Sequence, residues 1–493
     1  MNALAAIGLL AGTAVAETVH GLVVFSRHGD RTTKHYGNQQ LTPLGATQNY
    51  QVGASYRSRY LDPESDHQIR GISPDQVKQS QIYASAPNQA ILSNTATAFL
   101  QGLYPPLSDS NPDLVIEALN NGSDSSAPLE GYQYVLLQGM DDDSPDSIWI
   151  KGDDACPAYA DSSARFSESK EYLQRVEATR DFYAGFYRYL DGVYDLTPEG
   201  MTYDNAYDIF DLLNVARIHN ESSSALDISA DDMLQLRTLA DSSEFGANYN
   251  ASQPARSIGA QTLAGTVLAR LDETVRSAGR AKLSVLAGSY DTFLAFFGVM
   301  GLTDLSDDFT GLPGYASTMA FELLSDSSDN SDDEDAEDAF PAEKDLRVRW
   351  LFKNGTDGDL TPFPLFGRNE PVLRYTDFVA EMRERAVEDV GTWCGVCAAT
   401  VDFCAAYADE EGEDGEGAAS NNKSTNGGGI SNAVAGVIGA VVALVVAGLV
   451  GAVAFVVMRR RSSSAVAASA VAVEVAEKRS VGSVSGSGSG SLA

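Results

Sequence analysis

In Arg27-His28-Gly29-Asp30-Arg31-Thr32 a histidine sits between two arginines, and no other stretch of this 493-residue chain has side chains so suited to chemistry. An imidazole can attack phosphorus as a nucleophile. Guanidiniums hold phosphoryl oxygens in a planar fork and neutralise their charge. These groups act together only if the backbone aims them at one point. The apolar run Val23-Val24-Phe25 reads as a buried strand feeding the histidine, with Gly29 letting the chain turn sharply after it. Side chains at the C-terminal end of such a strand point into the crevice where open α/β sheets bind ligands.

The first motif, followed by Leu41-Thr42-Pro43-Leu44-Gly45, resembles the histidine acid phosphatase and phytase branch of the histidine phosphatase superfamily. The resemblance continues through residues 98–106, returns at Ala287-Gly288-Ser289-Tyr290-Asp291-Thr292 and fades after about Phe403. It implies a doubly wound α/β core, a mixed sheet with flanking helices, and an inserted, mainly helical cap. It also implies hydrolysis of phosphate monoesters through a phosphohistidine, with neither metal nor cofactor. Carried over, His28 is the nucleophile, Arg27 and Arg31 bind the phosphoryl group, and Asp291 protonates the leaving oxygen. Asp30 becomes a structural partner of the turn. Two positions depart from the family pattern. Tyr290 stands where relatives carry a second histidine, and the slot of a third phosphate-binding arginine falls near Ile91. Tyr290 can still donate a hydrogen bond to the phosphoryl group. Each lost donor to a transition-state charge costs roughly 10²–10³ in turnover. The alternative to an enzyme is therefore a catalytically impaired receptor or wall glycoprotein that binds phosphorylated ligands.

Behind these motifs the core reads as residues 17–110 and 280–407, with a cap at about 110–280. The first core part holds the His28 strand, a helix over 44–61, a strand over 81–84 and a helix over 88–103. In the cap, helical periodicity covers 170–194, 203–218 and 255–277, and the aromatics at 182–189 form a stripe that reads as core-facing. Residues 282–287 form the strand that delivers Ser289, Tyr290 and Asp291 to the N-terminus of a helix over 292–300, where negative charge is favoured. Strands over 319–323 and 346–352 flank the acidic run 326–338, a solvated loop. A helix is expected over 377–390.

The ends set the topology. Residues 1–16 read as a signal peptide ending in Ala14-Val15-Ala16. Residues 433–458 carry no charge and are long enough to cross a hydrocarbon core of roughly 30 Å as one transmembrane helix. Arg459, Arg460 and Arg461 follow, placing the C-terminus in the cytoplasm. The expectation is a single-pass protein of the plasma membrane or another secretory-pathway membrane. Its ectodomain, 17–407, lies outside the cell or in the lumen on a flexible stalk, 408–432, and 459–493 form a disordered tail. Sequons at Asn121, Asn220, Asn250, Asn354 and Asn422 all precede the membrane helix. Cys156, Cys394, Cys397 and Cys404 suit two disulfides of undetermined pairing. Trp393-Cys394-Gly395-Val396-Cys397 imitates a redox motif but lacks the preceding strand, and no histidine follows His219 to complete a zinc site. A net charge of −34 excludes nucleic acid as a partner and leaves a small phosphorylated molecule as the expected ligand.

Overall fold

The central strand is β1 (Glu17–Arg27), buried from its third residue onward, as its β-branched and apolar sequence requires. It belongs to a computed structural model that describes residues 17–192, 196–326 and 339–407. The expected signal segment, stalk, membrane helix and tail, the acidic run beyond Asp326, and Asn422 lie outside these residues. Among the described residues no helix is long and apolar enough to cross a membrane.

The strands that follow are β2 (Ile82–Pro87), β3 (Ile116–Ala118), β4 (Asp124–Ser126), β5 (Leu137–Met140), β6 (Leu283–Gly288), β7 (Thr318–Asp326), β8 (Leu346–Lys353), β9 (Thr361–Pro362) and β10 (Val372–Arg374). Eight of the strands form one mixed sheet in the order β10-β8-β7-β1-β6-β2-β5, with β9 beside β8; β3 and β4 make a separate hairpin. The side from β1 to β5 is parallel and the side from β1 to β10 is antiparallel. Ser26 pairs with Ala287 and Arg27 with Gly288, so β1 and β6 end side by side and release His28 and Ser289 at the same edge.

Helices cover both faces of the sheet. They are α1 (Pro43–Tyr60), α2 (Ala90–Leu103), α3 (Leu107–Ser110), α4 (Pro157–Ser167), α5 (Lys170–Ala184), α6 (Tyr187–Leu190), α7 (Ala206–His219), α8 (Ala230–Asn248), α9 (Ile258–Arg276), α10 (Tyr290–Val299), α11 (Tyr375–Arg383) and α12 (Val390–Cys397). Alternation along β1 divides the core. Val23 and Phe25 pack with Leu263 and Val267 of α9 and Phe293 and Phe296 of α10. Leu22 and Val24 pack with Val52 and Tyr56 of α1 and Phe99 of α2. A third cluster, built on Tyr183, Phe186, Leu212 and Leu236, holds α5 to α8 together and absorbs the aromatic stripe.

Several expectations shift. The strand β5 and the helix α9 fall inside the segment assigned to the cap, yet β5 extends the main sheet and α9 packs under β1. The stretch 170–194 breaks at Gly185 into α5 and α6. The helix expected over 377–390 ends at Arg383, because Val387 is buried and its N–H is drawn to the Gln261 carbonyl of α9. Gly29 is not needed for a left-handed turn, since its φ is not positive. It is needed because a Cβ there would lie 2.3 Å from the Gly45 carbonyl oxygen, where α1 crosses the turn.

The cysteines pair as Cys156–Cys397 and Cys394–Cys404. The two cysteines of the redox-like motif thus belong to different disulfides and sit on α12, in a cluster with Ile258 and Trp393. Asn121, Asn220 and Asn354 are exposed and Asn250 is half-buried.

Candidate active site

The turn after β1 is braced from α1. Asn49, fully buried, accepts from the Gly29 N–H at 2.7 Å and donates to the Arg27 carbonyl at 3.0 Å. Thr42 caps α1 by accepting from the Gly45 N–H at 3.1 Å, and its own hydroxyl donates to Asp30. Asp30 also bonds His219 Nε2 at 2.6 Å, at the end of α7. It therefore ties the turn, α1 and α7 together.

His28 Nδ1 lies 2.8 Å from the Gly29 carbonyl oxygen. A carbonyl only accepts, so Nδ1 carries the proton and Nε2 keeps its lone pair. Burial, then Arg27 and Arg31, then Lys34 hold the imidazole pKa well below its ordinary value despite that carbonyl. Burial and the neighbouring cations thus favour the neutral, nucleophilic form of the ring.

Arg27 donates to the Pro313 carbonyl and lies between two phenol rings, 5.2 Å from the centroid of Tyr290 and 5.0 Å from that of Tyr315. Arg31 donates through Nη1 to both Asp211 oxygens at 3.0 Å and through Nη2 to Tyr207 Oη at 2.7 Å. Burial opposes the Arg31 charge, but Tyr207 and Asp211 outweigh it and the net shift is upward. Asp211 further accepts from Thr33 Oγ1 at 2.9 Å and the Lys34 N–H at 2.8 Å. Arg27 Nε and Arg31 Nε are buried donors without an acceptor among the described residues.

The β6 edge brings the second group. Tyr290 opens α10 and stacks on Tyr207, ring centroids 5.3 Å apart. Its hydroxyl donates to Glu244 of α8 at 2.8 Å, and Lys34 Nζ donates to it at 3.1 Å. Asp291 lies within the first turn of α10, which begins two residues earlier than expected, and Ser289 is the N-cap. Asp291 Oδ1 accepts from the Thr292 N–H at 2.9 Å and Oδ2 from Lys151 Nζ at 3.3 Å. Burial pushes its pKa up, but Lys151, Lys34 and the Thr292 N–H more than offset this, so the carboxylate is favoured. Ile91 is 7% exposed in the first turn of α2, packed with Ala86, Leu92, Ala96 and Ala287. The third-arginine slot is thus apolar.

Arg27, His28, Arg31, Tyr290 and Asp291 are gathered where β1 and β6 end, whereas the cysteines lie on α12, in the short turn 402–407 after it and at the start of α4. Sequence reasoning missed Lys34, Lys151, Tyr207, Asp211 and Glu244. The spacing of Tyr207 and Asp211, four residues apart on one helix face, was the one signal available.

The structure thus places a buried histidine between arginines at the C-terminal edge of the central strand of an α/β sheet. A family model described as the histidine phosphatase superfamily, branch 2, matches residues 34–340, and the chain belongs to this family. The crystal structure of Klebsiella sp. ASR1 phytase is 12% identical, with 75% of this chain and 96% of that one covered and a TM-score of 0.51. A phytase from D. castellii is 12% identical over 82% of this chain and 88% of its own, TM-score 0.48. Bifidobacterium longum multiple inositol polyphosphate phosphatase, in complex with inositol hexasulfate, is 12% identical over 77% and 96%, TM-score 0.46. At such identity the likeness to the Klebsiella structure is one of fold. No curated protein matches the chain.

Proposed function

We propose that the chain is a phosphatase that cleaves small phosphate monoesters through a phosphohistidine at His28. The observation that carries this reading is the pair of orphaned guanidinium N–H donors, Arg27 Nε and Arg31 Nε, in the same turn as an imidazole whose Nδ1 is already committed. A buried donor without an acceptor costs roughly 1–3 kcal/mol, and phosphoryl oxygens would satisfy both. His28 Nε2 attacks phosphorus, the ester oxygen leaves, and water then releases phosphate from the imidazole. The Lys34 ammonium adds a donor near the same site, whereas the proton of Tyr290, which stands in place of the family's second histidine, is committed to Glu244.

The second reading, a phosphate-binding receptor with little turnover, has one observation in its favour. His28, Arg27 and Arg31 are 3%, 5% and 0% exposed, so substrate reaches them only if the cap helix α7 or the 313–315 segment gives way. On either reading we place the domain outside the cell, anchored through 433–458. The two disulfides support an oxidising compartment. Phosphate release from an aryl phosphate across pH 3 to 7, beside His28→Ala, tests the enzyme reading. Turnover abolished by the substitution supports it, and turnover equal in both proteins rejects it. Ligand binding without turnover in the wild type selects the receptor.

A further inference from the structure

The cap holds a cavity of about 470 Å³ that shares no residue with the candidate active site. It lies where α4, α5 and the end of α8 meet the segment 250–256. Its charge runs against that of the chain. The sequence has 68 acidic and 34 basic residues, yet this lining sets Arg165, Arg175 and Arg256 against Glu171, its one carboxylate among the described residues. Arg256 is 2% exposed and bonds only neutral groups. Its Nε donates to Ser162 Oγ at 3.2 Å, Nη1 to the Gly246 carbonyl at 2.9 Å, and Nη2 to Gln253 Oε1 at 3.0 Å and to the Ser162 carbonyl. The hydrogen bonds of this guanidinium are satisfied but its charge is not, and a buried charge without a counter-charge is costly. Burial, then Arg165, lower its pKa in consequence.

Donors also outnumber acceptors. Gln253 Oε1 accepts from Ser162 Oγ at 2.6 Å and from Arg256, and Arg165 Nη2 and Nε approach the same oxygen at 3.3 Å and 3.4 Å. An amide oxygen has two lone pairs, so the Arg165 fork is loosely held and open to a stronger acceptor. Arg175 meets Glu171 at 3.4 Å, but that carboxylate is 75% exposed and competes weakly. Phe166, Phe245 and Tyr249 complete the wall with rings. The volume falls within the roughly 300–1,000 Å³ of small-molecule sites and exceeds what a bare oxyanion fills. We propose that this cavity binds a small organic anion, with its oxyanion on Arg165 and Arg175 beside the buried Arg256 and its apolar part against the rings. A carboxylate, a sulfonate and a phosphate ester all match a guanidinium fork. The inference stands apart from the His28 reading, because none of the groups assigned to the reaction lines the cavity.

The test is calorimetric titration of the full-length chain with benzenesulfonate, a permanent anion on a ring with no phosphoryl group to lose. Asn250 lines the cavity and begins a sequon, so Asn250→Gln protein is titrated beside the wild type and a glycan cannot hide the site. At least one of the two should bind saturably, and Arg165→Glu in the same background should weaken that binding by about tenfold or more. Arg165 is exposed, so the substitution should leave the urea midpoint in place. Should it fail to fold, Arg175→Gln replaces it with the same expectation. Methanesulfonate, which lacks the ring, should bind about tenfold more weakly, and benzylamine, the same ring with a positive charge, should not bind. Benzoate and phenylphosphonate, titrated in parallel, show which oxyanion is preferred. No binding by either protein overturns the proposal, as does binding unchanged in Arg165→Glu, equal binding of benzylamine, or methanesulfonate binding as tightly as benzenesulfonate.

Discussion

Replacing Asp211 with Asn probes how the cap helix α7 holds the site. Arg31 is fully buried and Asp211 3% exposed, and the carboxylate accepts from Arg31 Nη1, Thr33 Oγ1 and the Lys34 N–H. Asn is the same size, so packing is preserved. One of its two polar atoms, however, becomes an NH₂ facing groups that can only donate or prefer to. Removing one partner of a buried ion pair costs about 3–5 kcal/mol when nothing else neutralises the charge left behind. Here Tyr207 Oη at 2.7 Å and the Thr32 carbonyl at 3.0 Å still accept from Arg31. They retain part of the energy, so a loss of about 2–4 kcal/mol is expected. Urea unfolding should show a lower midpoint with an unchanged slope. The loosened guanidinium should also lower kcat/KM for an aryl phosphate by about 10- to 100-fold, since a misplaced donor loses most of its transition-state value. A midpoint shift worth less than about 0.5 kcal/mol would refute the pairing. A rise in kcat/KM would show that Asp211 competes with substrate for Arg31 rather than holding it.

Two further outcomes follow from groups outside the site. His20 is buried and bonded through Nε2 to Ser325 Oγ at 2.8 Å, and burial, with Arg70 and Lys282, lowers its pKa from 6.5 to about 4. The unfolded chain therefore takes up this proton first, and stability is lost as pH falls from 6.5 toward 4. His20→Gln should reduce the stability drop between pH 7 and pH 5 by about 2 kcal/mol in paired urea titrations, and an identical drop would contradict the assignment. The Cys156–Cys397 bond closes a sequence separation of 241 residues and Cys394–Cys404 one of 10. Loop entropy gives about 5 kcal/mol for the first and about 3 kcal/mol for the second. Cys156→Ser/Cys397→Ser should lower the unfolding midpoint more than Cys394→Ser/Cys404→Ser, and the reverse order would reject the entropic ranking.

How far these features could be read in advance depends on where their determinants lie. The strands β1 and β6 announce themselves because both are buried on two faces, which writes a continuous apolar run into the sequence. The helix α1 is equally legible, since Thr42 and Pro43 mark its start. The strand β5 is not: Leu137-Gln138-Gly139-Met140 sits at the sheet edge with two exposed residues and has no hydrophobic pattern to detect. The nucleophile and its arginines are local in sequence, so spacing reveals them. Asp211, Glu244 and Lys151 reach the site only through the packing of the cap and the segment before α4. A lone lysine in Ile150-Lys151-Gly152-Asp153-Asp154 looks like ordinary surface charge until the fold buries it. Asp291 shows the same limit, because its position was legible but its ionised state is imposed by Lys151, 140 residues away in the chain.

Trapping the phosphorylated intermediate bears most directly on the role of His28. The wild-type protein, mixed with 4-nitrophenyl phosphate and quenched in base within one turnover, should yield a His28 peptide heavier by one phosphoryl group. That label should be stable to base, labile to acid and absent from His28→Ala. Phosphate release without any label on His28, or a label on another residue, would contradict the account.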